Sequence, residues 1–171
     1  MKSHERNFDY LVGQVALAYK QFLLFKELRK PSSRKLLNSH GYFFKVILPT
    51  LSISFLSNLS KILEAPHGFD ETVSIFTITK QRFVDQEETI TKIKKLRNKV
   101  LAHNDMKTLQ DLDKFMRELQ LKDENIEDLF IRIIDFLNEQ RVHFGLSGEF
   151  AYFKDQLPEY AKRSVDDLLK T

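Results

Sequence analysis

The chain has 171 residues with no cysteine, which excludes disulfides, thiolate nucleophiles and cysteine-based zinc sites. Hydrophobic residues make up 42% and charged residues 30%, the balance of a chain that buries a core rather than staying disordered. A formal charge of +3 is too small to name a partner by itself, so where the charges stand matters more than their sum.

Only 5 Gly and 4 Pro punctuate the chain, so the elements between turns must be long, and long elements favour helices. The N-terminus, Met1 to Arg6, has no apolar core and carries Glu5, unlike a signal peptide. Phe8, Leu11, Val15, Ala18, Phe22 and Phe25 recur at helical spacing and predict an amphipathic helix over about residues 7–29, ended by Pro31-Ser32-Ser33. After a polar stretch, Phe44, Leu48, Leu51, Phe55, Leu59 and Ile62 predict a second helix, in which Pro49 marks either a kink or the true first turn. Its apolar run from Tyr42 to Leu59 is interrupted by Lys45 and Pro49. It falls short of the roughly 20 mainly apolar residues of a membrane span, so a buried helix and no membrane partner are expected.

Val73, Phe76 and Phe83 predict a shorter helix, although the β-branched residues between Thr72 and Thr79 would also suit a strand. Asp85 and Glu88 read as the two ends of a capping box that starts the next helix, with Ile90, Ile93, Leu96 and Val100 on its apolar side. Thr108 to Asp111 reads as another helix start, leading to Leu112, Phe115, Met116 and Leu119. Ile126, Leu129, Ile133, Ile134 and Leu137 form the last long stripe, ending near Gly145 to Gly148, and a short helix is expected after Pro158. Together these predict an all-α protein, an antiparallel helical bundle of about five helices. Residues 1–148 make the bundle and 149–171 a C-terminal extension packed on it or on a partner.

The positive charge gathers in one place. Lys92, Lys94, Lys95, Arg97, Lys99 and Lys107 crowd one segment, whereas acids dominate from Asp111 to Glu139. Such a patch on a nearly neutral protein suits an anionic ligand, and equally a solvated helix face. Within it, Arg97 can grip a phosphate bidentately, His103 can exchange a proton near neutral pH, and Asn98 can orient either a ligand oxygen or the histidine. On a straight helix Arg97 and His103 stand about 120° apart around the axis and about 9 Å apart along it. A local unwinding near His103, or a two-fold dimer that pools two copies of the pair, would bring them over one ligand; the dimer is the favoured expectation.

The run from Arg97 to Asp105, Arg-Asn-Lys-Val-Leu-Ala-His-Asn-Asp, resembles the signature of the HEPN superfamily, and its wording is similar to the abortive-infection U-type branch. The resemblance is specific over those residues and a matter of layout over roughly residues 5–145. It implies a HEPN-like helical bundle, usually dimeric, acting as a metal-independent endoribonuclease of a cytoplasmic toxin or anti-phage defence system. Arg97, Asn98 and His103 would then be catalytic, with Lys94, Lys95, Lys99 and Asn104 contacting RNA or phosphate, and with no metal and no cofactor. It also allows a non-catalytic module that binds a nucleotide or RNA, or docks an antitoxin or a nucleotidyltransferase.

The blander explanation of Arg97 and His103 is a salt bridge and a histidine that complements a helix C-terminus. His4, His40, His67 and His143 are scattered, without metal-ligand spacing. Ser52, Ser54, Ser57 and Ser60 are expected to let helices approach closely, since no nucleophile-elbow pattern surrounds them.

Overall fold

The computed structural model describes residues 3–64, 73–76, 83–102, 112–143 and 151–170, and the regular structure among them is helical. In chain order the α-helices are α1 (Ser3–Leu28), α2 (Arg34–Ser39), α3 (Gly41–Leu63), α4 (Glu87–Ala102), α5 (Leu112–Glu118), α6 (Asp123–His143) and α7 (Ala151–Leu169). Short 3-10 turns precede α2 (Pro31–Ser33) and α4 (Val84–Gln86).

α1 is the central helix, packed against α3, α6 and α7. Its apolar stripe is fully enclosed: Phe8, Leu11, Val15, Ala18 and Phe22 have no exposed surface. Aromatic rings knit the neighbours together, with Phe22 edge-on to Phe55 of α3 at 5.5 Å and Tyr19 against Phe130 of α6 at 5.0 Å. The pairs also fix direction. Arg29 meets Asp123, Lys26 meets Glu127 and Phe22 meets Phe130, so α6 runs antiparallel to α1. Gln21 accepts from Asn58 while Phe25 touches Phe55, so α3 is antiparallel to α1 as well. A helical bundle with one main core follows. A smaller satellite core of Leu28, Leu36, Phe44 and Val165 sits where α1, α2, α3 and α7 meet.

Several local expectations change. The polar stretch before Gly41 is itself helical: Pro31 opens a 3-10 turn, Ser33 donates to the Glu27 carbonyl at 2.9 Å, and α2 buries Leu36 in the satellite core. Pro49 lies inside α3 rather than at its start. Its ring removes one backbone donor, and in the same turns Thr50 donates to the Val46 carbonyl and Ser52 to that of Pro49. Because α3 continues through the proline for 23 residues and contains an 18-residue window of mean hydropathy 1.5, it is long and apolar enough to cross a membrane by length and composition, against the sequence expectation. Its inner face carries core residues, yet only 33% of that apolar window is buried. Ser52 and Ser60 are completely buried in it.

The capping box at Asp85 does not form. Asp85 lies in the 3-10 turn before α4, where its carboxylate pairs with Arg132, and Glu88 pairs instead with Lys92. An ion pair one turn along α4 for Glu88 and one across to α6 for Asp85 stand in place of the reciprocal cap. The expected helix near residues 73–84 and the helix start at 108–111 lie largely outside the described residues. α7 is not a short helix after Pro158. It is a 19-residue helix that runs through that proline and buries Leu157, Ala161 and Val165 against the bundle.

Candidate functional site

The sequence segment of interest lies on the second half of α4. That helix buries Ile93 and Leu96 and packs against α3, α5 and α6. At about 100° per residue, the outward positions then divide into two flanks. Lys94 and Asn98 project within about 100° of Arg97, whereas Lys95 and Lys99 point about 160° away from it.

On the first flank, Arg97 is held on two sides. Its Nη1 donates to Glu64 Oε1 at 2.5 Å, and both Nε and Nη2 donate to Asn98 Oδ1 at 3.1 and 3.0 Å. Glu64 caps the C-terminus of α3, where its extended backbone (φ −79, ψ 139) lets its N–H donate to the Ser60 carbonyl. The two charged side chains are mostly enclosed, 21% exposed for Arg97 and 25% for Glu64. A guanidinium carries five N–H donors. With three engaged among the described residues, one remains on Nη1 and one on Nη2. Asn98 thus orients the arginine, where the sequence reading gave it a ligand oxygen or His103 to orient, and Glu64 neutralises it, which the sequence reading missed. One signal was available: a carboxylate at a helix C-terminus is disfavoured by the macrodipole and calls for a cation from elsewhere.

The second flank is occupied differently. Lys99 pairs with Glu118 of α5 at 2.8 Å and lies over the Phe115 ring at 4.9 Å. That pairing holds the exposed Glu118 carboxyl below its ordinary value, chiefly through the Lys99 hydrogen bond. Lys92 pairs with Glu88 at 2.6 Å and reaches the Gln120 carbonyl at 3.5 Å. Lys94 and Lys95 have no ion-pair partner among the described residues. The apparent cluster of six cations is therefore one clamped arginine, two lysines tied to acids, and two lysines, half-buried Lys94 and exposed Lys95, with no ion-pair partner among the described residues, while Lys107 is not described. Lys99 belongs with α5 rather than with Arg97.

His103 and Asn104, expected to complete the site, lie outside the described residues. Among those residues, no three His, Asp or Glu side chains converge as a metal site would require. Comparison with known proteins gives no matching family model, no matching curated protein and no matching solved structure.

Proposed function

We propose that this chain acts on RNA, as a metal-independent endoribonuclease of a toxin or anti-phage defence system. The observation that supports it is Arg97, fixed in orientation by Asn98 and Glu64 with two N–H donors unused among the described residues, beside Lys94, which has no ion-pair partner among them. Preorganised donors of this kind stabilise charge that develops on a phosphate without reorganising at the moment of reaction. In this reading His103 takes the proton of a ribose 2′-hydroxyl as its oxygen attacks the adjacent phosphorus. The bond to the 5′-oxygen then breaks, leaving a 2′,3′-cyclic phosphate and a 5′-hydroxyl. A two-fold dimer would supply a second imidazole to protonate that leaving oxygen. Incubation of the purified chain with RNA in chelator should give fragments ending in cyclic phosphate, and His103→Ala should abolish them. RNA left intact by the wild-type chain, with and without candidate activators, would sink the reading.

A second reading is a binding module without chemistry, and Glu64 favours it. Its carboxylate cancels the arginine charge, so an incoming phosphate meets a neutral pair rather than a free cation. RNA binding that Arg97→Ala weakens and His103→Ala leaves untouched, with no cleavage by either protein, would select this version.

A further inference from the structure

The opposite end of α3 carries a second feature, about 33 Å along the helix from Glu64 and so independent of the candidate site. From Leu28 to Leu63 the chain contains no Asp or Glu, while Arg29, Lys30, Arg34, Lys35, Lys45 and Lys61 all fall within it. Arg29 and Lys30 are tied to Asp123 and Glu27. Arg34, Lys35 and Lys45 are exposed and have no ion-pair partner among the described residues. At the same elbow between α2 and α3, Tyr42 is 83%, Phe43 57% and Val46 45% exposed. Of the acids on the adjoining α7, Asp167 is paired with Lys170 and Asp166 is exposed.

Three large apolar side chains left in water beside three unneutralised cations call for an occupant that is apolar and anionic at once. We propose that the α2–α3 elbow docks the protein reversibly on an anionic bilayer surface. Tyr42, Phe43 and Val46 enter the boundary between headgroups and acyl chains, and Arg34, Lys35 and Lys45 meet the lipid phosphates and carboxylates. Aromatic rings favour that depth, and juxtamembrane cations are drawn to anionic lipid. Val46 stands one helical turn from Tyr42 on the same face. It offers neither a ring to stack on a base nor a hydrogen bond, so a lipid surface fits this face better than a nucleic-acid strand. The inner face of α3 stays in the core, with Phe55, Leu56, Leu59 and Ile62 buried, so the contact is peripheral and does not require the helix to leave the bundle. Three apolar side chains and three cations give attachment that salt can reverse, rather than permanent insertion.

The test is co-sedimentation of the full chain with phosphatidylcholine vesicles, with and without phosphatidylserine. Binding is expected only with the anionic lipid and should weaken at high salt. Tyr42→Ser/Phe43→Ser should reduce it by about tenfold, and Arg34→Glu/Lys35→Glu by about as much. Tyr42→Ser alone, at a nearly free side chain, guards against a loss of folding, which circular dichroism checks directly. No vesicle binding by the wild-type chain, or binding that these variants leave unchanged, overturns the proposal. So does a wild-type chain that ignores vesicles but loses single-stranded RNA affinity in Tyr42→Ser/Phe43→Ser, which would make the elbow a stacking platform.

Discussion

Glu64, the C-cap of one core helix, and Arg97, two-thirds of the way along another, close an ion pair of 2.5 Å that ties α3 to α4. The contact stabilises the bundle and restrains the candidate site at the same time, and the two effects have opposite consequences for Glu64→Gln. Losing the charge should lower stability by about 1 kcal/mol, since the pair is only partly withdrawn from water. The same change removes a negative charge beside the guanidinium and should tighten binding of a short RNA by about tenfold at low salt. Urea unfolding and fluorescence titration measure the two separately. A variant that is less stable and binds RNA no better would show the pair to be structural only.

The two flanks of α4 give a second contrast. Lys94 shares the side of Arg97 and has no ion-pair partner among the described residues, whereas Lys99 is committed to Glu118 and Phe115. Lys94→Glu should weaken RNA binding by about tenfold and flatten the dependence of log affinity on log salt by about 0.7 or more. Lys99→Ala should leave both nearly unchanged. Anisotropy titrations across a salt series decide the matter, and equal losses from the two substitutions would mean that the ligand crosses both flanks.

How much of this was legible follows from what each signal reports. The stripes of Phe8 to Phe25 and of Ile126 to Leu137 were readable because burial on one face writes itself into the sequence at a fixed period. α2 was not, since its six residues are held by Leu36 docking on distant Phe44 and Val165, which no local pattern reveals. Pro158 misled because helix breaking is a local preference that tertiary packing overrides, and the same override decides between the two readings the sequence left open at Pro49. Within the candidate site, Arg97 and Asn98 were visible as neighbours in the chain. Glu64, on another helix and 33 positions away, could be found only through the fold.

The turn between α5 and α6 invites a stabilising change. Gln120 has a left-handed backbone (φ 51), its N–H donates to the Arg117 carbonyl at 3.0 Å, and the Leu121 N–H donates to that of Met116 at 2.9 Å. These are the two hydrogen bonds of a Schellman cap, and the buried Leu121 supplies its apolar contact. Glycine ordinarily fills that position because a Cβ is penalised there. Gln120→Gly should therefore raise stability by about 0.5–1 kcal/mol, and the Lys92 contact to its backbone carbonyl need not change. Thermal unfolding of the two proteins is sufficient. A lower midpoint for the glycine variant would mean that the side chain does more than its exposure suggests.

Tyr19 sets an alkaline limit on the fold. It is 1% exposed in the main core against Phe130, and burial, with the Glu127 carboxylate adding to it, pushes its hydroxyl from 10.0 up to about 12. The folded state thus keeps the proton at pH values where the unfolded chain has lost it. With the folded value raised, the contribution is fully present below pH 10 and falls away as pH climbs from there toward about 12. A shift of this size corresponds to at most about 3 kcal/mol lost across that window. Tyr19→Phe removes the titrating group while keeping the ring, so its stability should fall less steeply than that of the wild-type chain between those values. Denaturant midpoints measured in parallel from neutral pH upward isolate the difference from the lysines and other tyrosines that titrate in both proteins. Parallel curves would mean that Tyr19 ionises as readily in the folded chain as in the unfolded one, and that its hydroxyl reaches water despite the packing around it.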